Sequence, residues 1–116
     1  MRRTTIIPTA ALIALVATAC SPKVLYTWTG YDNAVYAYTK APDEANTAQL
    51  IKIYTRLIDN PGGLRLAPPP GVCADYGYLL IRAGKTVEGK ALLNKEIQLY
   101  PESKPFIDRI LKRFDQ

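Results

Sequence analysis

The stretch VCADYGYLLIRAGKTVEGKALLNKEIQLYP, residues 72–101, decides the fold of this chain. Its first part repeats apolar side chains every three or four residues, which is the spacing of one helix face. Gly84 suits the left-handed end of a helix, and Thr86 is placed to cap a second one. Pro101 ends that second helix because proline cannot continue it. The stretch therefore predicts a helical hairpin, with helices over about 72–83 and 87–100.

An earlier part of the chain predicts another hairpin with the same order of signals. Apolar and aromatic residues at helical spacing favour a helix over about 32–40, and Pro42 keeps the residue before it out of the helical region. Asp43 is a suitable N-cap for the next helix, over about 44–59. The loop NPGGLRLAPPPG, residues 60–71, separates the hairpins, and its three consecutive prolines favour an extended backbone.

A fifth helix is predicted after Pro101, with Ser103 as its cap. Its apolar residues fall on one face and are expected to cover the second hairpin; they are Phe106, Ile107, Ile110, Leu111 and Phe114. The one candidate strand in the sequence is the stretch 24–29. We therefore predict an all-α fold, in which two helical hairpins and a C-terminal capping helix form one domain over residues 31–116.

The two hairpins match each other at an offset of 40 residues without a gap. The segment 36–38, Tyr-Ala-Tyr, aligns with the segment 76–78, Tyr-Gly-Tyr, and Pro61 aligns with Pro101. A single hairpin cannot bury its apolar face, whereas two stacked hairpins can. The chain is therefore expected to be a short helical repeat.

The copies resemble the tetratricopeptide (TPR) pattern over residues 30–101. Gly77 and Gly89 stand where that family places small residues so that its two helices approach closely, and both copies end on the family's closing proline. Arg56 and Glu96 depart from the pattern, since the family has alanine at that position. The resemblance implies a concave groove that holds extended peptides, and the residues expected to face it are Tyr31, Tyr38, Tyr78 and Arg82.

The alignment assigns a different place to two other tyrosines. Tyr36 and Tyr76 are expected to point into the packing between the helices. Tyrosine offers a large contact area at low entropy cost, which favours a binding role for those that face the groove. The alternative is that a small two-hairpin domain uses tyrosine as an amphipathic residue at the edge of its core.

The first 20 residues, MRRTTIIPTAALIALVATAC, have the order of a secretory signal peptide. Arg2 and Arg3 precede an apolar stretch that is short for a permanent membrane span. The end of the segment, Ala-Thr-Ala-Cys, resembles the bacterial lipobox, whose cysteine thiol accepts a diacylglycerol. Cleavage is predicted between Ala19 and Cys20, with lipidation of Cys20. The alternative is an ordinary signal peptide that ends near a coincidental cysteine.

These signals divide the chain into a lipoprotein signal peptide over 1–19, a lipidated tether over 20–30 and the TPR-like domain over 31–116. Ser21 follows the modified cysteine. By resemblance to Gram-negative lipoproteins, a residue other than aspartate there implies transport to the outer membrane. We therefore expect a protein anchored by lipid at the periplasmic face of the outer membrane, with no cofactor besides the covalent lipid on Cys20.

Composition and charge exclude several classes of function. The 15 basic and 10 acidic residues give a net charge of +5, which falls to +3 if Arg2 and Arg3 leave with the signal peptide. The remaining basic residues are scattered, whereas a nucleic-acid surface needs them clustered, so no nucleic-acid partner is expected. The chain contains no histidine, and its two cysteines are too few for a zinc site of four thiolates.

Other chemically notable residues have ordinary interpretations. Cys73 is expected in the core, and an intermolecular disulfide is the alternative. Trp28 is expected to cover the first hairpin, and insertion into the lipid interface is the alternative. Ser21 and Ser103 do not belong to a serine–lysine catalytic motif, so no enzymatic activity is predicted. Four acidic residues that could be proposed as acid–base pairs are expected on solvated helix faces instead: Asp32, Asp75, Glu88 and Glu96.

Five short segments together indicate a closer relationship. They are Tyr-Thr-Trp at 26–28, Tyr-Ala-Tyr at 36–38, Pro-Pro-Gly at 69–71, Tyr-Gly-Tyr-Leu-Leu at 76–80 and Leu-Tyr-Pro-Glu-Ser at 99–103. Through them the chain, from about residue 24 to 113, resembles the DUF4810 family of short bacterial lipoproteins. The resemblance implies an envelope lipoprotein. Such proteins tend to be encoded beside other lipoproteins, including relatives of the curli secretion channel, which implies partners of that kind.

The sequence thus predicts a lipoprotein that acts as an interaction or assembly component of an envelope complex. One alternative is a passive structural lipoprotein of the envelope. The other is a small hydrolase that acts on cell-wall material, for which the chain lacks a histidine, a nucleophile motif and a metal cluster.

Overall fold

A computed structural model describes residues 23–116. The predicted signal peptide over 1–19, the cleavage between Ala19 and Cys20 and the lipidation of Cys20 all lie outside the described residues. They stay predictions of the sequence.

Five α-helices form the described part of the chain, in the predicted order. They are α1 (Tyr31–Lys40), α2 (Glu44–Asp59), α3 (Val72–Arg82), α4 (Thr86–Leu99) and α5 (Lys104–Phe114), with a 3-10 turn, Pro101–Ser103, between the last two. Residues 23–116 contain no strand, and the candidate stretch 24–29 is irregular. The predicted all-α fold of two hairpins followed by one helix is confirmed.

Local sequence accounts for several of the helix ends. The carboxylate of Asp43 caps α2 by accepting a hydrogen bond from the Asn46 backbone N–H at 2.8 Å. Gly84 adopts a φ of +86° in the turn after α3, where a side chain would be strained. The predicted cap Thr86 is wrong, because Thr86 is the first residue of α4 and Lys85 precedes it as the N-cap. Ser103 occupies the predicted N-cap position of α5, but its hydroxyl donates to the Tyr100 carbonyl at 2.7 Å and makes no capping hydrogen bond.

The two helices of the second hairpin meet backbone to backbone. A Cβ on Gly77 would lie 2.7 Å from the Gly89 carbonyl oxygen, and a Cβ on Gly89 would lie 2.5 Å from the Gly77 carbonyl oxygen. Only glycine permits this approach. The first hairpin has Ala37 and Gln49 at the matching positions, and its helices pack less closely.

The buried core consists of two clusters joined through α3. One lies between α1, α2 and the start of α3 and includes Cys73, which is fully buried as expected. The other lies between α3, α4 and α5 and centres on Leu93 and Ile107, which are also fully buried. Helix α5 therefore covers the second hairpin, as predicted for a capping helix.

Residues 24–29, part of the predicted tether, are bound to the helical domain. The backbone N–H groups of Leu64 and Arg65 donate to the carbonyls of Val24 and Leu25, both at 3.0 Å. The ring of Tyr26 meets the ring of Tyr100 edge-on, with centroids 6.3 Å apart. The packed structure therefore begins at about Val24.

The antiparallel helices give the domain two distinct ends. The starts of α1 and α3 lie with the ends of α2 and α4, next to residues 24–30 and the loop 60–71; we call this the tether end. Two hydrogen bonds hold it together: Arg56 Nη2 donates to the Thr29 carbonyl at 2.9 Å, and the Tyr100 hydroxyl donates to the Pro68 carbonyl at 2.5 Å. The short turns 41–43 and 83–85 lie at the opposite end, which we call the turn end.

Candidate functional site

Three of the four residues predicted to bind a partner line one open groove between the hairpins. Tyr38 enters it from α1, Tyr78 and Arg82 enter it from α3, and Leu50 and Tyr54 of α2 complete its wall. The groove has a volume of about 230 Å³. We call it the hairpin groove.

Tyr31, the fourth predicted residue, does not line the hairpin groove, but it is tied to the groove wall. Its hydroxyl donates to Asp75 Oδ2 at 2.8 Å, and Asp75 is a groove residue. Burial, and then the hydrogen bond to the carboxylate, raise the pKa of Tyr31 above its usual range. Tyr31 therefore stays a neutral donor, and it links α1 to α3.

Helix α3 supplies a polar stripe along the hairpin groove. Asp75, Tyr78 and Arg82 follow one another at steps of three and four residues, so they share one helix face. The Arg82 guanidinium lies 5.9 Å from the centre of the Tyr78 ring, at the distance of a cation–π contact. The stripe thus offers a carboxylate at one end, a cation at the other and an aromatic ring between them.

A second groove lies on the other side of Tyr78, between α3 and α5. Its walls are Ala74, Asp75, Tyr78, Phe106 and Ile110, and its volume is about 240 Å³. We call it the α5 groove. Phe106 was expected to cover the second hairpin, and this was wrong: its side chain is 58% exposed at the groove wall because Ile107 takes the buried position. Tyr78 and Asp75 line both grooves and so join them.

A ladder of aromatic rings connects Trp28 to Tyr54, which lines the hairpin groove, and continues to Tyr76. The ring of Trp28 lies 5.0 Å from Tyr31, Tyr31 lies 6.2 Å from Tyr54, and Tyr54 stacks on Tyr76 at 5.5 Å. The ladder crosses α1, α2 and α3. Trp28 thus contacts the first hairpin through Tyr31, with 42% of its surface exposed, and Tyr76 takes part in the packing as expected.

Tyr36 was expected to point into the hairpin packing, and this was wrong. Its side chain is 67% exposed, with the Lys40 Nζ 5.9 Å from its ring centre. The buried face of α1 is centred on Ala34, and Val35 and Tyr38 pack against the core beside it. Tyr36 lies two residues after Ala34, on the opposite side of the helix, and therefore faces away from the packing.

Glu96 is the residue that sequence reasoning misplaced most clearly. It was expected on a solvated helix face, but only 2% of it is exposed. Its carboxylate accepts hydrogen bonds from the backbone N–H of Gly71 at 2.7 Å and of Ala74 at 3.3 Å. Gly71 is the N-cap of α3 and has no side chain of its own to cap the helix, so Glu96 does so from α4.

Arg56 takes the same place in the first hairpin. It lies 40 residues before Glu96, and its guanidinium binds the carbonyl of Thr29, next to Gly30, the N-cap of α1. Arg56 and Glu96, which replace the tetratricopeptide alanine, therefore each bind the turn before the first helix of their own hairpin. The sequence contained a sign of this role: two charged residues stand at one repeat position, and each hairpin has a glycine just before its first helix.

These features define a small all-α protein of stacked helical hairpins with adjoining grooves. The model of the family described as "Domain of unknown function (DUF4810)" matches residues 25–110, and the chain belongs to that family. Comparisons with curated proteins and with solved structures gave no significant match. Among residues 23–116, no helix combines the length and the apolar character that crossing a membrane requires.

Proposed function

We propose that the protein is a lipid-anchored interaction module of the bacterial envelope, which holds a segment of a partner protein on the face formed by α1, α3 and α5. The observation that carries the proposal is the meeting of Tyr38, Tyr78 and Arg82 in the hairpin groove. They come from two different hairpins, so the groove exists only because the hairpins stack.

The size and chemistry of the grooves favour a polypeptide partner. Pockets for small molecules and cofactors have volumes of about 300–1,000 Å³, and each groove is smaller than that range. Each is large enough for one or two side chains. Tyr78 forms the ridge between the grooves, so apolar side chains of one extended segment can fill both, while Asp75 and Arg82 bind its backbone or polar groups.

The anchor in this proposal is the lipidated Cys20, supported by the signal peptide and lipobox pattern at the N-terminus. Ser21 supports the outer membrane as its location. We propose other envelope lipoproteins as partners, among them relatives of the curli secretion channel. We propose no enzymatic activity and no nucleic-acid binding.

Site-specific photo-crosslinking in the native cells tests the binding face. A photoreactive phenylalanine analogue at position 78 is expected to give one crosslinked product of defined mass, identified by mass spectrometry as an envelope protein. The same analogue at position 36 is the matched control, because Tyr36 is an exposed tyrosine outside both grooves. Equal crosslinking at both positions, or none at position 78, would contradict the proposed binding face.

The anchor is tested separately by Cys20→Ser. The wild-type protein is expected in the outer-membrane fraction with the mass of a diacylglycerol added to the chain. The variant is expected to lose that mass and to leave the membrane or remain unprocessed. Normal lipidation of the variant, or a wild-type protein without lipid, would refute the anchor.

A further inference from the structure

The tether end of the domain exposes an apolar patch. Val24 and Leu25 come from the N-terminal segment, and Leu64 and Leu66 from the loop that precedes α3. Their exposed fractions are 59%, 53%, 59% and 73%. The two segments lie side by side, because the N–H groups of residues 64 and 65 donate to the carbonyls of residues 24 and 25. We call these four residues the tether-end patch.

The backbone of the loop is shaped to keep this patch in place. Gly63 has a φ of +77°, and a Cβ there would lie 2.5 Å from the Leu25 carbonyl oxygen, so a glycine is required for the two segments to meet. Leu66 has a φ of +47°, in the left-handed region that a bulky residue rarely adopts. The backbone of Leu66 is thus held in an unfavourable conformation that exposes an apolar side chain to water. This arrangement points to a role in contact with an apolar surface.

Two cations flank the patch. Lys23 precedes Val24, and Arg65 lies between the two leucines of the loop; both are exposed. Long basic side chains can keep their charge at the level of lipid headgroups while neighbouring apolar residues enter deeper. Apolar residues bordered by lysine and arginine fit a membrane interface, where anionic lipids attract the cations.

We propose that the tether-end patch inserts into the membrane interface; the inference rests on the proposed lipidation of Cys20. Four residue steps separate Cys20 from Val24, and a chain of that length spans at most about 14 Å. The headgroup layer on each side of a bilayer is roughly 5–8 Å thick. The patch therefore cannot lie far from the lipid surface, and it is the apolar surface that the anchor brings nearest.

Insertion of the patch sets the orientation of the whole domain. With the tether end at the membrane, the turns 41–43 and 83–85 point away from it, because they lie at the opposite ends of the helices. The hairpin groove and the α5 groove then lie along the sides of an upright domain, where a partner can approach them without lipid in the way.

Tryptophan fluorescence in vesicles tests the insertion. The chain has a single tryptophan, Trp28, so the variant Trp28→Phe has no tryptophan emission. Phenylalanine at this position keeps an aromatic contact with Tyr31. Leu66→Trp then reports on the patch. Val87→Trp is the matched control, because Val87 is 84% exposed and lies at the turn end. The full chain is expressed, and the membrane-extracted protein is reconstituted in vesicles of phosphatidylethanolamine and phosphatidylglycerol, with and without brominated acyl chains.

The tryptophan at position 66 is expected to emit at shorter wavelength than the one at position 87 and to be quenched by the brominated lipid, whereas the control stays unquenched. Mass spectrometry of the same samples measures the lipid on Cys20. If the protein is lipidated but both tryptophans emit at the same wavelength and neither is quenched, the insertion proposal is overturned. The patch would then be assigned to contact with a protein partner. Protein without lipid would overturn both this inference and the proposed anchor, so the two failures are distinguishable.

Discussion

The carboxylate of Glu96, in α4, accepts a hydrogen bond from the backbone N–H of Gly71 at 2.7 Å, and so α4 caps the start of α3. This bond closes the second hairpin at the tether end, near its connection to α5. It also explains why a charged residue stands where the tetratricopeptide pattern has alanine.

Removing the Glu96 carboxylate should destabilise the second hairpin. Glu96→Ala leaves the N–H groups of Gly71 and Ala74 without their acceptor, and we expect a loss of about 2 kcal/mol in the free energy of unfolding. Urea unfolding followed by circular dichroism measures it. Glu88→Ala is the control, because Glu88 is an exposed glutamate of the same helix. A loss no larger than that of the control would contradict the capping role.

Burial of Glu96 also makes stability depend on pH. Burial raises the pKa of Glu96 above its ordinary value of 4.5, although the backbone N–H groups oppose the rise. The folded protein therefore binds this proton more tightly than the unfolded chain does, and the free energy of unfolding falls as the pH rises from 4.5 through the raised pKa. Glu96→Gln removes this titration, so the wild type should gain stability relative to the variant as the pH falls through that range. Parallel pH profiles would refute the prediction.

The contact between Gly77 and Gly89 should not tolerate a methyl group. Alanine normally stabilises a helix by about 1 kcal/mol relative to glycine. Here we expect Gly77→Ala and Gly89→Ala each to destabilise the protein by roughly 1–3 kcal/mol, because the new Cβ would press on the backbone of the other helix. Thermal unfolding measures the effect. An increase in melting temperature in either variant would show that the helices do not meet as closely as described.

Substitutions of Ile107 and Phe106, two neighbours on α5, should have different effects: one should lower stability and the other should weaken partner binding. Ile107 is fully buried, and Ile107→Ala should cost about 3 kcal/mol of unfolding free energy. Phe106 is mostly exposed at the wall of the α5 groove, so Phe106→Ala should leave stability almost unchanged and weaken the crosslink formed at position 78. Denaturation curves and crosslinking yields of both variants give the comparison. Equal losses of stability would contradict the assigned burial.

Cys73 should be unreactive in the folded protein. Its side chain is fully buried, and burial raises the pKa of its thiol to about 11, so almost no thiolate forms at neutral pH. Iodoacetamide should modify Cys73 only after denaturation, as measured by mass spectrometry of its peptide. Rapid modification under native conditions would refute this, and an intermolecular disulfide at Cys73 would contradict it as well.

Patterns within a few residues were sufficient to predict the helices and part of the site. Helical spacing placed α1 to α5 because helix faces depend on local periodicity. The repeat alignment predicted that Tyr38, Tyr78 and Arg82 face a groove, and all three line the hairpin groove. The resemblance to the tetratricopeptide pattern implied the close approach at Gly77 and Gly89, where the helices do meet.

The sequence by itself therefore determined that this chain folds into two helical hairpins and a capping helix, because periodicity and helix-ending residues are properties of neighbours along the chain. Only the tertiary structure decided the burial of Glu96, the exposure of Tyr36 and Phe106, and the pairing of residues 24–25 with the loop at 64–65. Each of these depends on contacts between separate segments of the chain. Such contacts are set by how the helices stack, which no local pattern records.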